Sequence, residues 1–272
     1  MEQHGSYRLQ EHFGDVPAEL ARLEAQAASF WGKESEILKR RGLGEDARVL
    51  EIGCGPGFAT ERLLALVPEG SVVGIDNDPY MVELAGRRLA GLGRVEIRLG
   101  SVNKTGLAEA SFEAAIARLL FQHLPDPLEA LAEIRRVLRP GGRVFVTDID
   151  SRWGLLLDPE PSHFDEVSAA IGSMRRERGG DPSIGRRLPR LLADAGFTNL
   201  ALDVIAIHSV IDGPESIAQT LQAVSTFEPL VAANLLRREA FEAVRDFEQR
   251  FHAGELQVDG MLGVLVVTGT AS

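Results

Sequence analysis

The stretch Val49–Gly57 reads VLEIGCGPG, and the stretch Val73–Asp76 reads VGID. The first is an apolar run that ends in three glycines, a pattern typical of a buried strand entering a tight turn. A helical pattern over 58–67 follows it. This order of strand, turn and helix leaves backbone N–H groups and the positive helix end at the carboxyl edge of a parallel sheet, where ligands of such folds bind. The two stretches therefore predict an α/β protein with a ligand site at that edge.

Apolar runs and helical periodicity alternate over residues 17–148, which predicts βαβ units that build a parallel sheet. Strands are predicted over 48–52, 72–75, 95–99, 112–117, 143–147, 200–210 and 261–268. A first helix is predicted from Asp15, as its cap, to about residue 41, with a break at Gly32. The predicted fold is α/β, Rossmann-like and doubly wound, with a mostly parallel seven-stranded sheet and helical lid insertions.

The pattern divides the chain into four segments. Residues 1–46 form an N-terminal helical cap, and residues 47–150 form the ligand-binding core. The alternation stops after Asp150, where Pro, Gly, Arg and Glu mix, so residues 151–184 are interpreted as a lid insertion. Residues 185–272 complete the core and contain an insertion over 214–253 that is predicted to be wholly helical.

Composition excludes several classes of protein. The 272 residues are 44% apolar and 25% charged. These values are ordinary for a globular protein and exclude a disordered, collagen-like or fibrous one. The formal net charge of −11 disfavours nucleic acid as a partner. The lone cysteine, Cys54, and the absence of a signal-peptide pattern favour a reducing, cytoplasmic location. No apolar run is long enough for a membrane span, so no membrane association is expected.

The glycine spacing narrows the choice of ligand. The dinucleotide fingerprint G-x-G-x-x-G would place its third glycine at Phe58, and the phosphate loop G-x-x-x-x-G-K-[ST] is absent. Asp76 stands at the end of the second strand, where a carboxylate can accept hydrogen bonds from the two hydroxyls of a ribose. The combination points to a nucleoside. The alternative is a tight turn with an N-cap carboxylate and no ligand.

On these residues the sequence resembles the class I S-adenosylmethionine-dependent methyltransferases. The stretches Val49–Gly57 and Val73–Asp76 are similar to the first two motifs of that family. The resemblance continues over 112–127 and 138–142, and it is strongest to the small-molecule enzymes of ubiquinone and menaquinone biosynthesis and their natural-product relatives. It implies S-adenosyl-L-methionine as cofactor, S-adenosyl-L-homocysteine as product, and a cap over residues 1–46 that closes over the cofactor.

The resemblance also implies roles for particular residues. Those expected to contact the methionine part of the cofactor are Gln26, Glu51, Gly53, Gly55 and Arg118. Those expected to hold the ribose and adenine are Asp76, Asn77, Met81, Ser101 and Val102. The family usually has an acidic residue where Ser101 stands, and a serine hydroxyl would accept from the adenine amine more weakly.

Two residues are candidates for catalysis. His123 follows the fourth strand, where relatives often have paired histidines, and an imidazole can take a proton from a phenol or an amine. Asp148, and with it Asp150, ends the fifth strand at the same edge. Structural roles remain open for all three. The six histidines show no paired spacing, so no metal site is expected.

The leading hypothesis is methyl transfer by in-line displacement to a small-molecule acceptor, either a secondary metabolite or a quinone-like compound. The alternatives are a cofactor-assisted cyclisation, rearrangement or decarboxylation without methylation, a nicotinamide oxidoreductase, and a silent binding subunit. Arginines at 175, 176, 178, 186, 187 and 190 form a basic patch. The patch either attracts an anionic substrate or a carrier domain, or is a solvated face paired with Glu177 and Asp181. The insertion 214–253 is a candidate substrate cap or homodimer surface.

Overall fold

The computed structural model describes residues 16–218 and 228–272. The N-terminal half contains α1 (Val16–Ser29), α2 (Trp31–Arg40), β1 (Arg48–Ile52), α3 (Phe58–Leu66), β2 (Ser71–Asp76), α4 (Pro79–Arg88), β3 (Val95–Leu99), β4 (Phe112–Arg118), α5 (Pro127–Val137) and β5 (Leu138–Asp148). The C-terminal half contains β6 (Leu155–Asp158), α6 (Phe164–Glu177), α7 (Ile184–Asp194), β7 (Phe197–His208), α8 (Ser209–Asp212), α9 (Glu228–Ala232), α10 (Arg238–His252) and β8 (Asp259–Ala271).

Two of the four Asp-Pro pairs in the sequence, those at Asp78 and Asp126, begin helices. The Asp78 side chain accepts a hydrogen bond from Tyr80 N at 2.9 Å, and the Asp126 side chain accepts one from Glu129 N at 3.0 Å. In each case the following proline occupies the first turn, where its missing N–H leaves no hydrogen bond unmade. Both helices therefore begin at the carboxyl edge of the sheet, next to a strand end.

The strands form one sheet in the order β3-β2-β1-β4-β5-β8-β6, with β7 also paired to β8. β1 to β5 are mutually parallel, and β8 runs antiparallel to β5, β6 and β7. The predicted α/β, Rossmann-like class is confirmed. The sheet has eight strands rather than seven, because Leu155–Asp158 pairs with the start of β8 inside the segment interpreted as a lid.

Helices cover both faces of the sheet. Along β4, Ala115 and Ala117 pack on the side of α5 and α7, whereas Ala114 and Ile116 pack on the side of α2 and α3. This alternation follows from the two-residue period of a strand and accounts for the near-continuous apolar runs in the sequence. The arrangement is doubly wound, and it leaves the carboxyl ends of the strands open at one edge.

Several predicted boundaries are wrong. The first helix breaks at Phe30 rather than Gly32: Phe30 leaves the helical region, with φ −119° and ψ 9°, and its ring is buried, whereas Gly32 is exposed within α2. The Asp15 cap lies outside the described residues. The insertion 214–253 is not wholly helical, because Asn234 adopts a left-handed φ of 57° between α9 and α10. Strand β7 ends at His208, where the Nδ1 atom accepts from Val210 N and starts α8.

The segment 151–184 is held against the C-terminal helices. Val167 of α6 packs with Phe241 and Val244 of α10 in one apolar cluster. The cluster positions one face of α6 over the carboxyl edge of the sheet.

Within the ranges that the structure describes, none of the helices has both the length and the apolar character needed to cross a bilayer.

Candidate functional site

The turn between β1 and α3 is locked to the end of β2. Gly53, Gly55 and Gly57 have positive φ values of 69°, 53° and 83°. Residues that carry a side chain rarely adopt this backbone conformation. Gly53 N and Cys54 N both donate to Ile75 O, at 2.8 and 3.0 Å. The backbone of the turn is thereby fixed before any ligand binds.

The three glycines have different surroundings. A Cβ atom on Gly53 would lie 3.0 Å from Leu120 Cδ1, and one on Gly57 would lie 2.9 Å from Leu89 Cδ1. A Cβ atom on Gly55 would meet no atom of the described residues within 4 Å. Gly53 and Gly57 are therefore needed for backbone conformation and close packing, whereas Gly55 borders space that the described residues leave open at the sheet edge.

Asp76 holds this edge together. Its Oδ2 accepts from Gly55 N at 2.8 Å, and its Oδ1 accepts from Asp78 N at 2.9 Å. Burial raises the pKa of Asp76, and these two backbone hydrogen bonds partly oppose that rise. A carboxylate has about four acceptor sites, so each oxygen can still accept from a hydroxyl of a ligand.

A cavity of about 420 Å³ opens at this edge, within the usual size range of small-molecule sites. Of the twelve residues predicted to form the site, ten line it: Gln26, Glu51, Gly53, Gly55, Asp76, Asn77, Met81, Val102, Arg118 and His123. The sheet and α1 thus bring together side chains that are separated by up to 97 positions in the sequence.

Two predicted site residues do not line the cavity. Ser101 is exposed, and its Oγ accepts from Asn103 N at 3.3 Å, so it caps the turn after β3. Asp148 is fully buried beneath the cavity and accepts from Gln122 N at 3.1 Å and from Ile149 N at 2.9 Å. Burial raises the pKa of Asp148 to about 7. Its neighbour Asp150 forms an ion pair with Arg186.

The carboxyl group of Glu51 is buried at the wall of the cavity. The residue is 2% exposed, and among the described residues its Oε2 has no hydrogen-bond partner although the side chain borders the cavity. Burial raises the pKa of Glu51 to about 7. An unpaired buried acceptor is unfavourable. The arrangement suits a ligand that brings a positively charged group to Glu51 and vicinal hydroxyls to Asp76.

Arg118 is held by a residue that the sequence reasoning missed. Its Nη2 lies 2.7 Å from Glu34 Oε2, and Thr147 Oγ1 donates to Glu34 Oε1 at 2.6 Å. Both charged side chains are almost completely buried, at 8% and 0% exposure. The sequence pattern could have identified Glu34, because it lies four residues from both Phe30 and Leu38, a spacing that places it on the buried face of the N-terminal helices. The ion pair fixes α2 to β4 and points Arg118 at the cavity.

The basic patch divides into surface and cavity residues. Arg187 pairs with Asp181, Arg190 pairs with Asp194, and Arg176 donates to Ser173 Oγ on the surface. Arg175 and Arg178 line the cavity instead. The patch is therefore not simply a solvated face.

A family model described as "Methyltransferase domain" matches residues 50–146. A trans-aconitate 2-methyltransferase of Rhizobium leguminosarum bv. trifolii is 30% identical over 79% of this chain and 82% of its own length. An uncharacterized 37.1 kDa protein in transposon TN4556 of Streptomyces fradiae is 37% identical over 81% of this chain and 64% of its own length. The chain spans only about half to two thirds of the length of several curated relatives that it matches.

Among solved structures, the phosphoethanolamine N-methyltransferase 2 of Haemonchus contortus, in complex with phosphomonomethylethanolamine and S-adenosylhomocysteine, superposes with a TM-score of 0.59 at 18% identity. The superposition covers 88% of this chain and 52% of the Haemonchus contortus protein. At this identity the likeness concerns the fold.

We expect Glu34→Gln to lower the free energy of unfolding by about 3 to 5 kcal/mol, because it leaves the buried Arg118 guanidinium without a counter-charge. Urea denaturation followed by circular dichroism measures the change. Glu36→Gln, on the exposed face of the same helix, is the matched control and should stay within about 0.5 kcal/mol of the wild type. Equal stability of the two variants would contradict the role of the ion pair.

Proposed function

Because the chain belongs to the class I S-adenosylmethionine-dependent methyltransferases, we propose that it binds S-adenosyl-L-methionine and transfers a methyl group to a small-molecule acceptor. The observation that carries the proposal is the single cavity that contains Gly55, Asp76 and Glu51 at one part of its wall and His123 with the α6 face at another. Such a cavity can hold a donor and an acceptor in contact.

The residues at the glycine turn fit the donor. Asp76 has acceptor capacity left for the ribose hydroxyls, and Gly55 leaves open space beside it. The unpartnered oxygen of Glu51 suits the positively charged methionine part, and buried Met81 and Val102 provide apolar contacts for the adenine. When bound, the cofactor supplies an electrophilic methyl group on a sulfonium sulfur.

The rest of the cavity wall fits the acceptor. The protein is expected to accelerate the reaction mainly by aligning the two reactants. In intramolecular reference reactions such alignment lowers the activation barrier by on the order of 7 to 11 kcal/mol. We assign His123 as the base for an acceptor that is still protonated. Asp148 is reassigned as a positioning residue, because it binds the backbone N–H of Gln122, the residue next to His123.

The apolar side chains of α6 favour an acceptor with a largely apolar body, in agreement with a secondary-metabolite or quinone-like compound. We retain a cytoplasmic location as part of the proposal, supported by the single cysteine. A homodimer through 214–253 remains a prediction, and residues 219–227 of that segment lie outside the described ranges.

The proposal is tested by incubating the protein with methyl-labelled S-adenosyl-L-methionine and a bacterial metabolite extract, and by following the label with mass spectrometry. Label in a small-molecule product, together with formation of S-adenosyl-L-homocysteine, supports methyl transfer. An isomerised or decarboxylated product with intact donor would instead support the non-methylating alternative. Absence of donor binding would overturn the proposal.

We expect Asp76→Ala to weaken S-adenosyl-L-homocysteine binding by about 10- to 100-fold, because hydrogen bonds to a charged group contribute about 1.5 to 3 kcal/mol each. Isothermal titration calorimetry measures the affinity, and circular dichroism verifies the fold. Asp46→Ala, which removes an exposed carboxylate outside the cavity lining, should bind like the wild type. Unchanged affinity of Asp76→Ala would remove Asp76 from the site.

We expect the affinity for S-adenosyl-L-homocysteine to rise about tenfold between pH 6 and pH 8, the change that linkage gives when a group with a pKa of about 7 must ionise on binding. The ionised form of Glu51 pairs with the ligand ammonium, so raising the pH through that pKa favours binding. Calorimetry at several pH values tests this. Glu51→Gln should lose the slope, whereas Glu36→Gln should keep it; a slope that survives in Glu51→Gln would contradict the assignment.

A further inference from the structure

Helix α6 presents one continuous face to the cavity. Phe164, Val167, Ile171, Met174, Arg175 and Arg178 line the cavity at spacings of three and four residues. These spacings place side chains on a single face of an α-helix. Apart from Ser168 the face is apolar over its first three turns, and it ends in two arginines, Arg175 within α6 and Arg178 directly after its last residue. The acceptor part of the wall is therefore apolar along most of its length and positively charged at one end.

Among the described residues Arg175, like Arg176 and Arg178, forms no ion pair, in contrast to the other three arginines of the patch. Arg186, Arg187 and Arg190 each pair with an aspartate. Within the part of the chain that the structure describes, the hydrogen-bond partner of Arg175 is the neutral Gln122, whose Oε1 accepts from Nη1 at 2.9 Å. The Arg175 side chain is partly buried, and Asp148, the carboxylate that interacts with it electrostatically, forms no direct ion pair with it. A partly buried guanidinium without a directly bound carboxylate is unfavourable.

Gln122 fixes the orientation of that guanidinium. Gln122 is only 4% exposed, and its backbone N–H is anchored to Asp148 at the end of β5. Gln122 accepts from Nη1, and the edge formed by the Nε and Nη2 atoms of Arg175 makes no hydrogen bond to the described residues, so this edge can bind another acceptor. Two parallel N–H groups on one edge of a guanidinium match the two oxygens of a carboxylate.

The surrounding charges agree with an anionic ligand at this point. Arg178 lies one helical turn beyond Arg175 on the same wall, and Arg22 of α1 also borders the cavity, in an ion pair with Glu19. Asp148 lies beneath and faces the backbone of Gln122, with both of its oxygens engaged by N–H donors. Glu51 and Asp76 belong to the part of the wall assigned to the donor.

We propose that Arg175, oriented by Gln122, binds a carboxylate of the acceptor in a bidentate manner, while the apolar residues of α6 contact the body of the same molecule. Arg175 is then the residue that selects carboxylic acids over neutral compounds of the same shape. This proposal rests on the function proposed above and adds the chemical class of the acceptor. His123 follows Gln122 directly in the turn at 121–123, Arg175 donates to the Gln122 side chain, and all three residues line the cavity.

The test is affinity selection with mass spectrometry on the protein saturated with S-adenosyl-L-homocysteine. The library consists of aliphatic and aromatic monocarboxylic acids, each with its primary amide and the phosphate monoester of equal chain length. The variants are Arg175→Gln, Arg175→Lys and, as the matched control, Arg176→Gln, whose side chain lies on the exposed face of the same helix. Calorimetry with S-adenosyl-L-homocysteine is performed on every variant.

We expect the wild type and Arg176→Gln to retain acids about 10- to 100-fold better than the matched amides. Arg175→Gln should lose that preference with unchanged S-adenosyl-L-homocysteine affinity, and Arg175→Lys, which keeps the charge without the fork, should keep part of it. Equal retention of acids and amides, stronger retention of the phosphate esters, retention of no library member, or a preference that survives in Arg175→Gln would each overturn the inference. Failure of the wild type to bind S-adenosyl-L-homocysteine would overturn the proposed function itself.

Discussion

One carboxylate, that of Asp76, joins the carboxyl ends of two neighbouring strands, and the donor part of the site depends on it. Its two oxygens bind the backbone N–H groups of Gly55 and Asp78, so a single side chain fixes the glycine turn after β1 and the entry into α4. Burial alone would favour the protonated acid, as the raised pKa of Asp76 indicates. The two N–H donors favour the charged form, and they thereby keep an acceptor at the one place where the glycine turn leaves space.

Helices on two sides of this edge complete the cavity, and different interactions hold them in place. Helix α2, which follows α1, is fixed electrostatically, since Glu34 reaches across from it to bind Arg118 and Thr147 at the ends of β4 and β5. Helix α6 is fixed by apolar packing on α10. A buried ion pair depends strongly on geometry, whereas apolar packing tolerates changes of side chain when volume is conserved. The two walls of the cavity are therefore under different constraints.

This difference accounts for what the sequence could and could not predict. The strands β1 to β5 and the caps at Asp78 and Asp126 depend on residues close together in the chain, and local patterns are sufficient to identify them. β6 has only four residues, and it forms because β8, about 100 positions later, supplies its hydrogen bonds. The partner of Glu34 and the environment of Arg175 likewise depend on distant segments. Asp148 lies at a strand end, which is a suitable position for a catalytic residue, but the backbone of Gln122 covers its side chain.

The division between local and distant determinants also bears on specificity. The donor part of the wall consists of strand ends and backbone turns, whose positions the sheet fixes, so changes there would disturb the fold. The acceptor part consists of side chains on α6, and its apolar members, Val167 among them, also belong to the cluster that packs α6 on α10, so that substitutions there are tolerated only when volume is conserved. On that face the guanidinium of Arg175 is held in a fixed orientation by its hydrogen bond to Gln122. A fixed cation on a largely apolar wall selects ligands by charge before it selects them by shape. A neutral ligand displaces the water that hydrogen-bonds to the guanidinium and offers no carboxylate in its place, so the guanidinium is left unpaired.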